Sequence, residues 1–198
     1  YLDINKNINN KELRLINLES LISKIRFDLD VINQRLLSKI DNFFYTKLIN
    51  KIYKKIDPHP FFKDVKFECV FNEDEKPRLE VYLYEKDSHT PISPSLYFSS
   101  AQLNILSLSI FLARALHVEH KGKPVNAILI DDPIQSMDSI NVLATIDLLR
   151  NISKKFDKQI ILSTHDENFH ELLKLKLSEA ELGAKFISFS SYGKVIQD

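Results

Sequence analysis

The sequence predicts an α/β fold: a parallel sheet with flanking helices, built round a βαβ unit with a side β-hairpin, and entered by a long amino-terminal helix. Three observations predict it. Leu15, Leu18, Ile22, Ile25, Leu29, Ile32 and Leu36 recur in steps of three and four, the a/d seam of a coiled coil. Val65, Phe67, Cys69 and Phe71 alternate with polar residues, as a half-buried strand does. The apolar run Val125–Ile130 and the stretch Gln159–Ser163 flank a helical pattern from Asp138 to about Phe156, which reads as buried strand, crossover helix and buried parallel strand.

Taken in order, the seam extends backwards to Ile8 and Ile4, with Lys11 as its one break. Beyond Leu36 the apolar steps become fours, through Ile40, Phe44, Leu48 and Ile52, so the partner surface is expected to change there. Residues 1–56 are therefore expected to form an arm helix and 57–198 a globular lobe. Asp57-Pro-His-Pro60 ends the helix. Leu79–Tyr84 is the second strand of the hairpin, with Asn72–Pro77 as its charged turn. A loop containing Pro91 and Pro94 follows, then a helix from Ser99 that ends between His117 and Lys121, before Gly122 and Pro124. After the βαβ unit, a helix over Glu167–Leu177 precedes strands at Lys185–Ser190 and Lys194–Ile196.

Composition sets bounds. A chain of 198 residues fits one core with an appendage. Lys plus Arg and Asp plus Glu are each 27, so net charge gives no argument for a nucleic-acid or membrane surface. The single cysteine, Cys69, allows no internal disulfide and makes the cytoplasm the default compartment. The longest apolar run is far too short to span a bilayer. The chain opens in mid-helix pattern at Tyr1, and it is expected to be a segment of a longer polypeptide.

The carboxylates Asp131 and Asp132 end the first strand of the βαβ unit. Such a pair can hold a hydrated magnesium ion and orient an attacking water, or simply solvate a strand end. Successive residues of an extended chain point to opposite sides, so Asp131 is expected to face the metal and Asp132 the water. Ser163, Thr164 and His165 leave the next strand on the same edge, where ligands of parallel sheets bind. His165 can reach a phosphate there, or merely start a turn, with Asp166 capping the following helix. Ser99 and Gln102 stand in capping-box spacing. The same helix start, with Ser100 and Ala101, could alternatively receive a phosphate. Lys47, Lys51, Lys54 and Lys55, with Lys154, Lys155 and Lys158, could contact DNA phosphates or be a solvated face.

In order and spacing, Phe98-Ser-Ser-Ala-Gln102, Ala127-Ile-Leu-Ile-Asp-Asp132, Ser136-Met-Asp138 and Ser163-Thr-His165 resemble the signature, Walker B, D-loop and switch-histidine motifs of ABC ATPases. The arm helix resembles that of the SMC branch, which includes DNA-repair ATPases. The run Asp131-Asp-Pro-Ile-Gln-Ser-Met-Asp138 is similar to Lamassu-like SMC proteins of anti-phage and anti-plasmid defence. The resemblance implies the C-terminal half of an ATPase head that uses ATP and Mg²⁺. It implies that Asp131 holds Mg²⁺ through water, Asp132 polarises the attacking water and His165 senses the γ-phosphate. Ser99, Ser100, Ala101 and Gln102 would contact ATP held by a second copy of the head, and Asp138 would sit at that seam.

The implied partners are that second copy, DNA, a P-loop half from the same polypeptide, and nuclease or accessory subunits of a defence complex, with no membrane. Three departures stand out. Ser100 and Ala101 replace the glycines of the signature, Asp132 replaces a glutamate, and no Gly-x-x-x-x-Gly-Lys-Ser/Thr occurs. Slow hydrolysis is expected. An overcoming-lysogeny-type ATPase driving a nuclease, and a degenerate scaffold acting through its coiled coil, are the alternatives.

Overall fold

The computed structural model describes residues 2–57, 62–70, 78–85, 90–191 and 193–196. It divides into two compact units, one of residues 1–43 with 67–80, the other of 44–66 with 81–198.

The first unit is dominated by α1 (Leu2–Phe44), a 43-residue helix about 65 Å long at 1.5 Å per residue. Its seam is uncovered: Leu15, Leu18, Ile22, Ile25, Leu29 and Ile32 are between 47% and 58% exposed. The helix does not run on to residue 56 as expected. Tyr45 adopts the left-handed conformation, φ 56° and ψ 48°, and α2 (Thr46–Ile56) starts afresh from it. The break resets the buried face. α2 buries Ile49, Ile52, Tyr53 and Ile56, the i, i+3, i+4, i+7 stripe of an amphipathic helix, where a continued run of fours would have favoured Leu48. A left-handed non-glycine residue costs roughly 1–2 kcal/mol. The Tyr45 ring offsets part of this by stacking on His117, with centroids 3.8 Å apart.

In the second unit α2 packs along α4 (Ser100–Ala115), whose Ile105, Leu106, Leu108, Leu112 and Ala113 are buried. Tyr53 of α2 stacks on Phe98, just before α4, at 5.6 Å. Burial, and then the Asp57 carboxylate, pushes the Tyr53 phenol above its ordinary pKa. Strands β1 (Phe62–Val70), β2 (Arg78–Glu85) and β3 (Pro91–Ile92) form a sheet in that order. The expected turn Asn72–Pro77 and the expected helix end Pro58–Pro60 lie outside the described residues. The expected proline loop instead supplies β3 and a short helix, α3 (Pro94–Tyr97). After α4 an unpredicted hairpin pairs β4 (Glu119–His120) with β5 (Lys123–Pro124). Its turn residues Lys121 and Gly122 have φ 50° and 74°, the doubly positive pair that tight hairpins need.

The βαβ unit forms as expected. β6 (Ala127–Asp131) and β7 (Gln159–Ser163) run parallel, in register from Ala127↔Gln159 to Asp131↔Ser163, with α5 (Ser139–Phe156) between them. Ile134, Val142, Ile146, Phe169 and Leu173 form a core cluster, with Leu162 packed against it. Phe169 and Leu173 belong to α6 (Glu167–Lys176). The strands are buried on one face only, a correction to the expectation of buried strands. The register partners Leu129 and Ile161 are 66% and 52% exposed, because α5 and α6 cover just the opposite side. The chain closes with α7 (Glu179–Leu182) and an antiparallel hairpin, β8 (Ser188–Ser191) and β9 (Lys194–Ile196). β8 begins three residues later than the expected strand. No helix among the described residues is long and apolar enough to cross a membrane.

Candidate functional site

The site grows from the carboxyl ends of β6 and β7. The extended backbone stops at Asp131, and Asp132 turns left-handed with φ 44°, a conformation that aspartate tolerates better than most residues. That turn lets the Asp132 N–H donate to the Ser163 carbonyl at 2.9 Å, one bond beyond the regular strand ladder. The two carboxylates do separate, but not by strand alternation: Asp132 has already left the strand.

Their partners differ. The Ser163 hydroxyl donates to Asp131 Oδ1 at 2.5 Å, and Asp131 stays at the exposed edge. Asp132 is withdrawn, its side chain only 14% exposed, and its Oδ2 lies 2.8 Å from Nδ1 of His165, whose side chain is 84% exposed. The Thr164 hydroxyl donates to Asp132 Oδ1 at 3.2 Å. Gln135 Nε2 donates to Asp132 Oδ2 at 3.3 Å. A shielded carboxylate thus holds one imidazole nitrogen and leaves the other facing outward. Asp166 takes the cap, its Oδ1 accepting from the Phe169 N–H at 2.8 Å. Asp132, Gln135, Ser136, His165, Asn168 and Phe169 are among the residues lining a cleft of about 580 Å³.

The other expected site residues stand apart from this cleft or serve local structure. Ser99 and Gln102 make the full capping box: the Ser99 N–H donates to Gln102 Oε1 at 3.0 Å, and the Gln102 N–H donates to Ser99 Oγ at 3.3 Å. Ser100 and Ala101 open the first turn of α4 beside them. Asp138 caps α5, accepting from the Asn141 N–H at 2.8 Å. Gln135 and Asn104 were not foreseen. Asn104, a polar residue inside the apolar run of α4, donates through Nδ2 to the Gln135 carbonyl at 2.8 Å.

Among the described residues no group of three His, Cys, Asp or Glu side chains could enclose a metal. One exposed carboxylate nevertheless suits Mg²⁺, which keeps most of its waters and is commonly held by one or two carboxylates together with substrate phosphates.

No family model matches the chain, and no curated protein does. Among solved structures, one described as the structural biochemistry of ATP-driven dimerization and DNA-stimulated activation of SMC ATPases aligns over 80% of this chain and 87% of that one. The TM-score is 0.53 and the identity 17%. The fold is that of an SMC ATPase head. The SMC head bound to the C-winged helix domain of ScpA aligns over 69% of this chain and 38% of that one, at TM-score 0.48 and 19% identity. The SMC head domain from Thermotoga maritima aligns over 71% and 45%, at TM-score 0.42 and 18% identity. This chain therefore spans most of the first SMC head chain and less than half of the other two.

Proposed function

We propose that the chain is the C-terminal half of an SMC-like head that dimerises on ATP and hydrolyses it to drive clamping or sensing of DNA, in repair or in anti-phage or anti-plasmid defence. The observation that carries this reading is the Asp132–His165 pair, 2.8 Å apart at the edge of a parallel sheet where ligands bind. A carboxylate held by Thr164, Gln135 and His165 is a fixed proton acceptor for an attacking water. His165, donating Nδ1–H to Asp132, can in its protonated form donate Nε2–H to a γ-phosphate oxygen. Asp131, oriented by Ser163, would hold Mg²⁺ through a bound water. Mg²⁺ supplies neutralisation of charge on the phosphate oxygens.

A segment of the same polypeptide carrying the P-loop would supply the rest of the nucleotide site. The apolar pair Leu129–Ile161 supports such a cover, since parallel sheets are normally buried on both faces. Ser99, Ser100, Ala101 and Gln102 would meet ATP held by the second head, with Asp138 at the seam. The cytoplasm would be the compartment, and a nuclease or accessory subunit the downstream partner.

Asp132 sits back from the cleft edge, so hydrolysis is expected to be slow. Asp132→Glu carries the carboxylate about 1.5 Å further out and should raise kcat for DNA-stimulated ATP hydrolysis by the full-length protein. A fall in rate would overturn the idea that the short reach of Asp132 limits hydrolysis.

A further inference from the structure

We infer that Asn104 and Gln135 form a positioning relay through which the first turns of α4 hold the Asp132 carboxylate in place. The inference rests on the hydrolytic role proposed for Asp132 and adds to it the control of that carboxylate by the helix that begins at Ser99.

The loop from Asp132 to Asp138 has two left-handed non-glycine residues, Asp132 at φ 44° and Ser136 at φ 62°. Such residues persist only where surrounding contacts over-determine them. Most of the contacts here are local. Ile134 is buried in the core cluster, the Met137 N–H donates to the Ile134 carbonyl at 3.0 Å, and Asp138 caps α5. The side-chain contact from α4 is Asn104 Nδ2 to the Gln135 carbonyl, 2.8 Å across a separation of 31 residues. Gln135 then turns its own amide onto Asp132 Oδ2 at 3.3 Å. Asp132 Oδ2 is also the oxygen that faces His165. Fixing the Gln135 backbone therefore fixes the second donor on the oxygen that orients the imidazole.

This wiring gives α4 a mechanical role in its own head. Asn104 lies one helical turn beyond Ser100, so a ligand or partner that engages the helix start and shifts α4 moves the Gln135 carbonyl with it. Loss of the Asn104 bond would leave the loop held by its local contacts alone and free the Gln135 amide to leave Asp132. Engagement at one end of α4 is thereby reported to the carboxylate. Gln135 and Asn104 touch no substrate in this account and act only through Asp132.

The test is steady-state ATP hydrolysis by the full-length protein with DNA, comparing wild type, Asn104→Asp, Gln135→Ala, the double variant and Asp132→Ala. Asn104→Asp keeps the shape but replaces the amide donor with a carboxylate. Each relay variant should lower kcat by about tenfold, the scale of one lost hydrogen bond, with KM for ATP unchanged and the thermal midpoint lowered by no more than about 4 °C. The double variant should be no worse than the more damaging single variant, because both act on one chain of contacts. Asn104→Gln, which retains a donor, should recover part of the rate. If Asp132→Ala abolishes hydrolysis while the relay variants keep the wild-type kcat, or lose it additively, the relay is wrong and the hydrolytic reading stands. If Asp132→Ala itself leaves the rate unchanged, both fall.

Discussion

Leu129 and Ile161 face each other in register on the side of the β6–β7 pair that α5 and α6 leave open, 66% and 52% exposed. If a P-loop segment covers that face in the whole protein, both side chains lose their remaining contact with water. Full burial of such a residue contributes roughly 1.5–3 kcal/mol, so the exposed fractions of the two sum to roughly 2–3.5 kcal/mol of stabilisation that this chain alone does not realise. The perturbation is Leu129→Ala with Ile161→Ala in the full-length protein, and the assay is urea unfolding followed by circular dichroism. The control is Ile140→Ala at the start of α5, 77% exposed. The control should shift stability by no more than about 0.5 kcal/mol, and the double variant by at least about 2 kcal/mol. Equal small effects would refute the idea that the open face is a buried interface.

Two further predictions concern other parts of the lobe. The Tyr53 hydroxyl is buried and, beyond the nearby Asp57 carboxylate, has no hydrogen-bond partner among the described residues. Its ionisation is raised above the ordinary 10.0 by burial first and the Asp57 charge second. The unfolded tyrosine then loses its proton before the folded one, so this contribution to stability is complete below about pH 10 and declines above it. Tyr53→Phe should remove that alkaline decline and be neutral or stabilising by up to about 1 kcal/mol at pH 8; a larger loss in urea unfolding would mean the hydroxyl is bonded. Lys55 and Lys154 line a cleft of about 450 Å³ that includes Arg150 and Asp147; Lys54 lies outside that lining and pairs with Asp64 at 2.9 Å. If the cleft receives DNA phosphates, alanine at Lys55 and at Lys154 should each reduce the salt slope of DNA affinity by about 0.9. Lys54→Ala should leave the slope unchanged, and equal slopes in all three variants would remove DNA from this cleft.

The βαβ unit was legible because its strands and helix differ in period and their lengths fit the crossover. The capping box at Ser99 and the cap at Asp166 were legible for a similar reason: each is set by contacts within three residues. The break at Tyr45 was not, since no local signal makes a tyrosine left-handed; its ring partner, His117, lies far along the chain. Leu129 and Ile161 belong to runs that read as fully buried strands, and only tertiary packing reveals that one face is open. Lys158 read as part of a basic cluster, yet it is 5% exposed and bonds the Val125 carbonyl. At the site, the order of Asp131, Asp132 and His165 was visible in sequence. The direct Asp132–His165 contact and the Gln135 amide were not, because they depend on the left-handed turn at Asp132.

The most direct test of the central claim is DNA-stimulated ATP hydrolysis by the full-length protein with its partners, comparing wild type, Asp132→Ala and Ser99→Asp. Aspartate is as good a helix cap as serine, so Ser99→Asp keeps α4 intact while placing a negative charge where a phosphate would dock. A composite site between two heads predicts loss of hydrolysis in both variants. Asp132→Ala should lose about 10²–10⁴ in rate while trapping an ATP-bound dimer, and Ser99→Asp should fail to dimerise. Equal background rates in all three proteins would contradict the account and leave a structural module.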